Sequence, residues 1–200
     1  MKKIRIIVMA KAPVAGFAKT RLIPALGAAG AANLAQRLLL HTINNVTEAN
    51  LGAARLCVTP EPENPVWDTL RTTANIEWEA QSDGDLGQRL AAASKHALAA
   101  GESVILMGTD CPALTAEVIR QAAHSLAQFN AVIIPATDGG YTLLGINEFH
   151  PSLFDGISWS TDKVCSQTLQ RIRLLRWRVE VLSPLQDIDE PDDLRWLPET

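Results

Sequence analysis

An α/β sandwich built on a mostly parallel sheet is the fold class that this 200-residue sequence predicts, on three observations. Short apolar runs alternate with longer alanine- and leucine-rich stretches along the chain, as strand–helix–strand units do. Hydrophobic residues make up 47% of the chain and charged ones 20%, which supplies a core and excludes a disordered chain. Between the apolar runs 131–135 and 141–145 only residues 136–140 intervene, too few for a crossover helix, so a local reversal or an irregular excursion is expected there.

The elements follow in order. Residues 4–9 are the most hydrophobic run and predict a buried first strand. A helix over 28–46 is predicted by Leu34, Leu38, Leu39 and Ile43, which fall on one face. Then come a strand at 55–59, a helix at 66–72, a strand at 76–79, a helix at 86–99 and a strand at 104–107. Thr115 reads as the N-cap of a helix over 115–127. The strands 131–135 and 141–145 are joined through the turn signal Asp138-Gly139-Gly140. A helix at 162–173, a strand at 179–182 and a helix at 191–197 complete the chain, with Pro191 suited to a first helical turn. No repeat, low-complexity stretch or linker interrupts the pattern, so residues 1–200 are expected to form one domain.

Composition narrows the function classes. Lys and Arg number 18 and Asp and Glu 22, a net charge of −4, which argues against nucleic-acid binding. Cys57, Cys111 and Cys165 are too widely spaced for a disulfide framework or a CxxC metal site and read as buried thiols of a reducing compartment. The opening apolar run is broken by Arg5 and meets Lys11 and Pro13, unlike a signal peptide, and no stretch reaches membrane-span length. A cytoplasmic protein without membrane insertion is expected. His41, His96, His124 and His150 show no metal-ligand spacing, and no GxSxG is present.

Ligands of open α/β sheets bind beyond the carboxyl ends of the strands, so the loops after strands hold the candidate residues. The first loop carries Lys11, Pro13, Gly16, Lys19, Thr20 and Arg21, cations gathered into a phosphate cradle or, alternatively, a solvated basic loop. After the strand at 104–107 come Gly108 and Asp110. A carboxylate there either ligates Mg²⁺ or Mn²⁺ or caps the next helix. Asp138, Gly139, Gly140 and Tyr141 form either a ligand-facing turn or a structural one. Asp187 and Asp189 point the same way if the backbone is extended, whereas Asp192 and Asp193 favour the first turn of the last helix. Asp85 and Arg89 at the start of helix 86–99 either contact base or ribose or cap the helix. In the segment 159–161 either Ser160 or Thr161 caps the next helix, or Trp159 forms a wall of an acceptor pocket that Ser160 and Thr161 also line.

In order, these motifs are Lys11-Ala-Pro with Gly16, Ala18-Lys19-Thr20-Arg21-Leu22, Gly84-Asp85-Leu86-Gly87-Gln88-Arg89, Gly108-Thr109-Asp110-Cys111-Pro112, Asp138-Gly139-Gly140-Tyr141 and the acidic segment Asp187 to Leu194. Together they closely resemble a family of GT-A-fold glycosyltransferase candidates described as radical-SAM/selenodomain-associated transferases, over essentially the whole chain. More distantly they are similar to phospholactate guanylyltransferases and molybdenum-cofactor nucleotidylyltransferases. The resemblance implies a three-layer, Rossmann-like GT-A (nucleotide-diphospho-sugar transferase) fold with a mixed sheet. It also implies phosphates on the first loop, and a divalent metal on Asp110 and on Asp189 or Asp187. Two departures stand out: the glycine-rich loop of the nucleotidylyltransferases is absent, and Asp110 is followed by Cys111-Pro112, so there is no DxD.

The expected activity is metal-dependent transfer from a nucleotide-activated donor to a small-molecule acceptor, with Lys19, Asp110 and Asp138 as catalytic residues. A nucleotide-diphospho-sugar glycosyltransferase leads. A nucleotidylyltransferase releasing pyrophosphate and a non-catalytic nucleotide-binding module are the alternatives.

Overall fold

The computed structural model describes residues 2–71 and 76–197. Seven strands, β1 (Ile4–Lys11), β2 (Gly52–Thr59), β3 (Ile76–Ala80), β4 (Ser103–Met107), β5 (Ala131–Pro135), β6 (Tyr141–Ile146) and β7 (Val179–Val181), form one sheet in the order β3-β2-β1-β4-β6-β5-β7. All pairings are parallel except those of β6, which runs antiparallel to β4 and β5. The reversal expected at residues 136–140 is therefore the β5–β6 hairpin. The mixed, mostly parallel sheet is the one the sequence predicts.

Central strands of such a sheet are covered on both faces and so read as continuous apolar runs, as β4 does with every residue buried. Alternate side chains divide between two cores. Ile6, Val8, Ile105, Met107, Val132 and Ile134 meet α1 (Ile23–Ala49) and α3 (Ala116–Ser125) on one face. Ile7, Val104, Leu106, Ala131 and Ile133 meet α2 (Leu86–Ala99) and α4 (Val164–Leu174) on the other. A third, smaller cluster packs Leu22, Ala31, Leu34 and Leu38 around Ile188.

The element boundaries carry local reasons. The α1 helix is interrupted at Gly27, so its regular part begins where the sequence predicts a helix, at residue 28. Asp85 and Gln88 form a reciprocal capping box at the start of α2, and Thr115 caps α3. The helix expected at 66–72 is a 3-10 turn, Pro65–Trp67, begun by the Asn64 side chain and closed over the fully buried Trp67; residue 72 lies outside the described residues. The helix expected at 191–197 is also 3-10, Pro191–Trp196, because Asp193 turns back to the Glu190 backbone. The α4 helix starts at Val164 rather than 162, since the Thr161 hydroxyl engages Ser158 and Lys163 in a turn. All three cysteines are free and buried. Among the described residues no helix is long and apolar enough to cross a membrane.

Candidate functional site

From β1 the sheet grows one way through β2 and β3, and from β4 the other way, so the strand order reverses between β1 and β4. At such a point the loops leaving adjacent strands diverge and open a crevice. The loops after β1, β4, β5 and β7 all reach this end of the sheet, and around it lie a cleft of about 570 Å³ and an adjoining recess of about 260 Å³.

Lys19 ties three of these loops together. Its side chain is only 7% exposed, and Nζ donates to the Ile188 carbonyl at 2.6 Å, to Asp189 Oδ1 at 2.7 Å and to Asp110 Oδ1. The three ammonium protons thus have three oxygen partners. Ile188 N–H in turn donates to the Asp110 carbonyl at 2.9 Å, and the fully buried Ile188 side chain anchors the segment against α1. Asp193 accepts from the Asp189 and Glu190 backbone N–H groups at 3.0 and 2.7 Å, fixing the far side of the same segment. His41 and Asn45 on α1 hold the β4–α3 loop through the Pro112 carbonyl and the Ala116 N–H. None of the four histidines lines the cleft or the recess.

The electrostatics follow from this crowding. Burial alone would lower the Lys19 ammonium, but Asp110 and Asp189 together hold it above its usual value. Asp110 lines the cleft with its side chain 44% exposed; desolvation and the Asp189 charge push it up, against the pull of Lys19. Asp187 is pushed up to about 6 by burial and then by the Asp138, Asp189 and Asp110 charges, and its buried Oδ1 has no partner.

The cleft has two kinds of lining. Met9, Leu86, Leu90, Leu106, Tyr141 and Trp159 are apolar or aromatic, whereas Asp110, Asp138, Asp162, Asp187, Asp189 and Glu190 are acidic. Arg21 is the cation among the lining residues, and it pairs with Glu190 at 3.3 Å. Tyr141 and Trp159 meet edge to face at 6.5 Å, and burial pushes the Tyr141 phenol up. Trp159 approaches α2 closely because Gly87 has no side chain: a Cβ there would lie 2.4 Å from its indole nitrogen.

The expected site residues separate into those the fold gathers and those it does not. Gly108, Asp110, Asp138, Gly140, Tyr141, Trp159, Ser160, Thr161, Asp187 and Asp189 line the cleft. Lys11, Lys19 and Thr20 line the recess, and Arg21 lines both. Lys11 Nζ lies 3.9 Å over the Phe17 ring. Pro13 and Gly16 shape the first loop outside both cavities. Gly139 also stays out: at φ +92 a Cβ would fall 2.2 Å from the Asp162 carbonyl oxygen, so this glycine packs against the 158–163 segment rather than a ligand. The side chains of Asp85 and Arg89 are engaged at the start of α2, the capping alternative for Asp85. Asp85 caps α2, while Arg89 donates to the Gly84 carbonyl and to Gln81, and neither lines a cavity. Lys19 is likewise bound to carboxylates and a carbonyl instead of presenting a free ammonium. Sequence reasoning missed Asp162, placed in a predicted helix, and the Ile188 carbonyl. An isolated apolar residue between two aspartates was the available signal for the second.

Among the described residues no group of three or more His, Cys, Asp or Glu is arranged to hold a metal. The Asp110–Asp189 pair nonetheless offers the all-oxygen donors that hard divalent cations take. With Asp187 it sets three carboxylates against one ammonium.

The comparisons with known proteins agree with this architecture. The family model described as uncharacterized protein conserved in bacteria (DUF2064) matches residues 42–161. A candidate nucleotide-diphospho-sugar transferase of Desulfovibrio desulfuricans G20 is 31% identical, with a TM-score of 0.88 over 97% of this chain and 85% of its own. Rv0371C of Mycobacterium tuberculosis H37Rv, in complex with manganese, is 16% identical, with a TM-score of 0.55 over 98% and 97%. The 4-diphosphocytidyl-2C-methyl-D-erythritol synthase of Anaerococcus prevotii DSM 20548 is 14% identical, with a TM-score of 0.58 over 98% and 96%. No curated protein matches. The fold is that of nucleotide-diphospho-sugar transferases, and these structural neighbours include transferases and nucleotidylyltransferases.

Proposed function

The chain belongs to the DUF2064 family, and for this member we propose a metal-dependent transferase that moves a sugar from a nucleotide-diphospho-sugar to an uncharged acceptor. The observation that carries the choice of acceptor is the charge of the cleft. Of its six carboxylates, Asp110 and Asp189 bind Lys19 and Glu190 pairs with Arg21, the cation among the lining residues, which leaves Asp138, Asp162 and Asp187 without a cationic partner among the described residues. A phosphorylated acceptor would be repelled there. A hydroxylated one can donate to the carboxylates and lay an apolar face on Tyr141 and Trp159.

In this reading Lys11 and Arg21 bind the donor diphosphate from the recess. Asp110 and Asp189, with Asp187 beside them, would hold Mg²⁺ or Mn²⁺, and the unpartnered Asp187 Oδ1 fits a site short of positive charge. The cation's contribution is to neutralise the charge that develops on the leaving diphosphate. Asp138 takes the acceptor hydroxyl proton as the acceptor oxygen bonds to the sugar carbon and the bond from that carbon to the diphosphate breaks. Tyr141 and Trp159 hold the acceptor and exclude water. The whole chain, residues 1–200, works as one domain of a cytoplasmic enzyme.

Nucleotidyl transfer is the second reading, favoured by Lys11, Lys19 and Arg21 around one recess, a charge suited to a triphosphate. Product analysis separates the two. Incubation with nucleotide sugars and Mn²⁺ should release a nucleoside diphosphate. Pyrophosphate from a nucleoside triphosphate, with no turnover of any nucleotide sugar, would overturn the first reading.

A further inference from the structure

We propose that Lys19 is an exchangeable internal cation: it occupies the oxygen cage of Asp110, Asp189 and the Ile188 carbonyl in the metal-free chain and leaves it when a divalent cation enters. The inference rests on the metal-dependent reading above and adds how the metal-free site is kept assembled. Two carboxylates on segments 79 residues apart in sequence (189 − 110) repel one another unless a positive charge lies between them. The chain supplies that charge itself. Lys19 Nζ lies 2.6 and 2.7 Å from two oxygens of the cage and bonds to the third, Asp110 Oδ1. This donor set, two carboxylates and a carbonyl, is one that Mg²⁺ and Mn²⁺ favour.

An ammonium and a divalent ion cannot share the cage, because both would use the same carboxylate oxygens and the two positive charges would repel at that range. Exchange also improves the local balance. With Asp187 counted, three carboxylates face one positive charge while Lys19 is in place and two when a divalent ion replaces it. The displaced side chain has somewhere to go. Lys19, Asp110 and Asp189 all border the recess that also holds Lys11 and Arg21, where a diphosphate would take the freed ammonium. The backbone is consistent with a residue held in place by its contacts. Lys19 sits at φ 49, ψ 44, left-handed for a residue with a side chain, and the Gly16 turn before it borders open space. Lys19 is thus a positioning residue for the metal site before loading and a phosphate ligand after it.

The test uses Mn²⁺ alone as the probe, without nucleotide, and reads free Mn²⁺ by electron paramagnetic resonance. Lys19→Met keeps the length of the side chain and removes its charge. It should bind Mn²⁺ at least tenfold more tightly than the wild type, and its Mn²⁺-dependent rise in melting temperature should be the larger of the two. Equal or weaker binding by a folded Lys19→Met, with the wild type still binding, overturns the exchange and leaves the metal-dependent reading intact. Absence of binding in both proteins overturns the two together. A second measurement needs no variant. In the wild type the caged ammonium should give a protected side-chain nitrogen resonance, which Mg²⁺ at saturation, monitored by calorimetry, should abolish. A resonance that persists at saturation overturns the proposal.

Discussion

Of the two walls of the cleft, the one made by the loops after β1, β4 and β7 is held by charge, and the one made by the β5–β6 turn and residues 158–163 is held by shape. On the first, Lys19 joins Asp110 and Asp189, and Asp193 pins the backbone that carries Asp189. On the second, Gly139 lies against the Asp162 backbone, Gly87 against Trp159, and Tyr141 against Trp159. Charge-built contacts respond to cations and pH and are partly screened by water. Shape-built contacts are indifferent to both and fail abruptly when an atom is added. The wall expected to meet diphosphate and metal is therefore the responsive one, and the wall expected to meet the acceptor is the rigid one.

The comparison is tested most severely at Gly139. Gly139→Ala adds a carbon 2.2 Å from the Asp162 carbonyl oxygen at a left-handed φ of +92, so backbone or turn must move. Strain and overpacking each cost roughly 1–3 kcal/mol, and a loss of about 3 kcal/mol is expected. For a chain of this size that is a fall of about 6–12 °C in melting temperature. The fall should be the same at pH 5 and pH 8, with and without Mn²⁺. A loss that varies with either would place Gly139 in the responsive wall.

Lys19→Met should come next. Removing one partner from a fully buried ion pair costs about 3–5 kcal/mol. Here the carboxylates are 44% and 38% exposed, so solvent takes up much of that, and about 1–2 kcal/mol is expected. Adding Asp110→Asn should recover most of it, because the repulsion that Lys19 relieves is then gone. A double-mutant cycle by urea denaturation measures the coupling, and additive losses would mean that the two residues stabilise the chain separately.

Asp187 gives a smaller and signed effect. Its carboxyl is raised to about 6, against about 3.9 in an unfolded chain, so between these values the folded state binds more protons than the unfolded one. Its contribution is present below about pH 4 and is lost as pH rises to about 6. Asp187→Asn should therefore stabilise the metal-free protein above pH 7, by about 1 kcal/mol once solvent screening of this half-buried group is allowed for. It should also remove part of the fall in stability between pH 4 and 6. Thermal unfolding across that range checks both, and a variant less stable at pH 7.5 contradicts them.

The two walls also differ in how far the sequence announces them. Strands were legible because continuous apolar runs such as Ser103–Met107 leave no other way to bury both faces. The Asp138-Gly139-Gly140 turn was legible because its chemistry is local. The Lys19 contacts were not, since they close over 91 and 170 residues and depend on the β7 segment returning beside β4. In the ligand-free chain a loop cation expected in a phosphate cradle is thereby the partner of two carboxylates. Asp85 and Arg89 are the local counterpart, open in the sequence to either a ligand contact or a cap. A carboxylate and a guanidinium at a helix start resemble a binding pair, but the unsatisfied N–H groups of α2 and the Gly84 carbonyl claim them first.

The least effect on stability is expected at Arg21, which belongs to the charged wall but stands outside its buried knot. Its pairing with Glu190 is 3.3 Å long between side chains 62% and 58% exposed, a geometry in which an ion pair contributes little. Arg21→Gln should change the unfolding free energy by less than about 0.5 kcal/mol. The same residue borders both the cleft and the recess, and in the proposed reading its guanidinium forms charge-assisted bonds to the donor diphosphate. Losing these costs roughly 1.5–3 kcal/mol of binding, about ten- to over a hundredfold in nucleoside diphosphate affinity by calorimetry. A large loss of affinity with unchanged stability would make Arg21 the part of the charged wall devoted to the ligand, and Lys19 the part that serves structure first. Unchanged affinity would leave Lys11 and Lys19 to hold the phosphates without it.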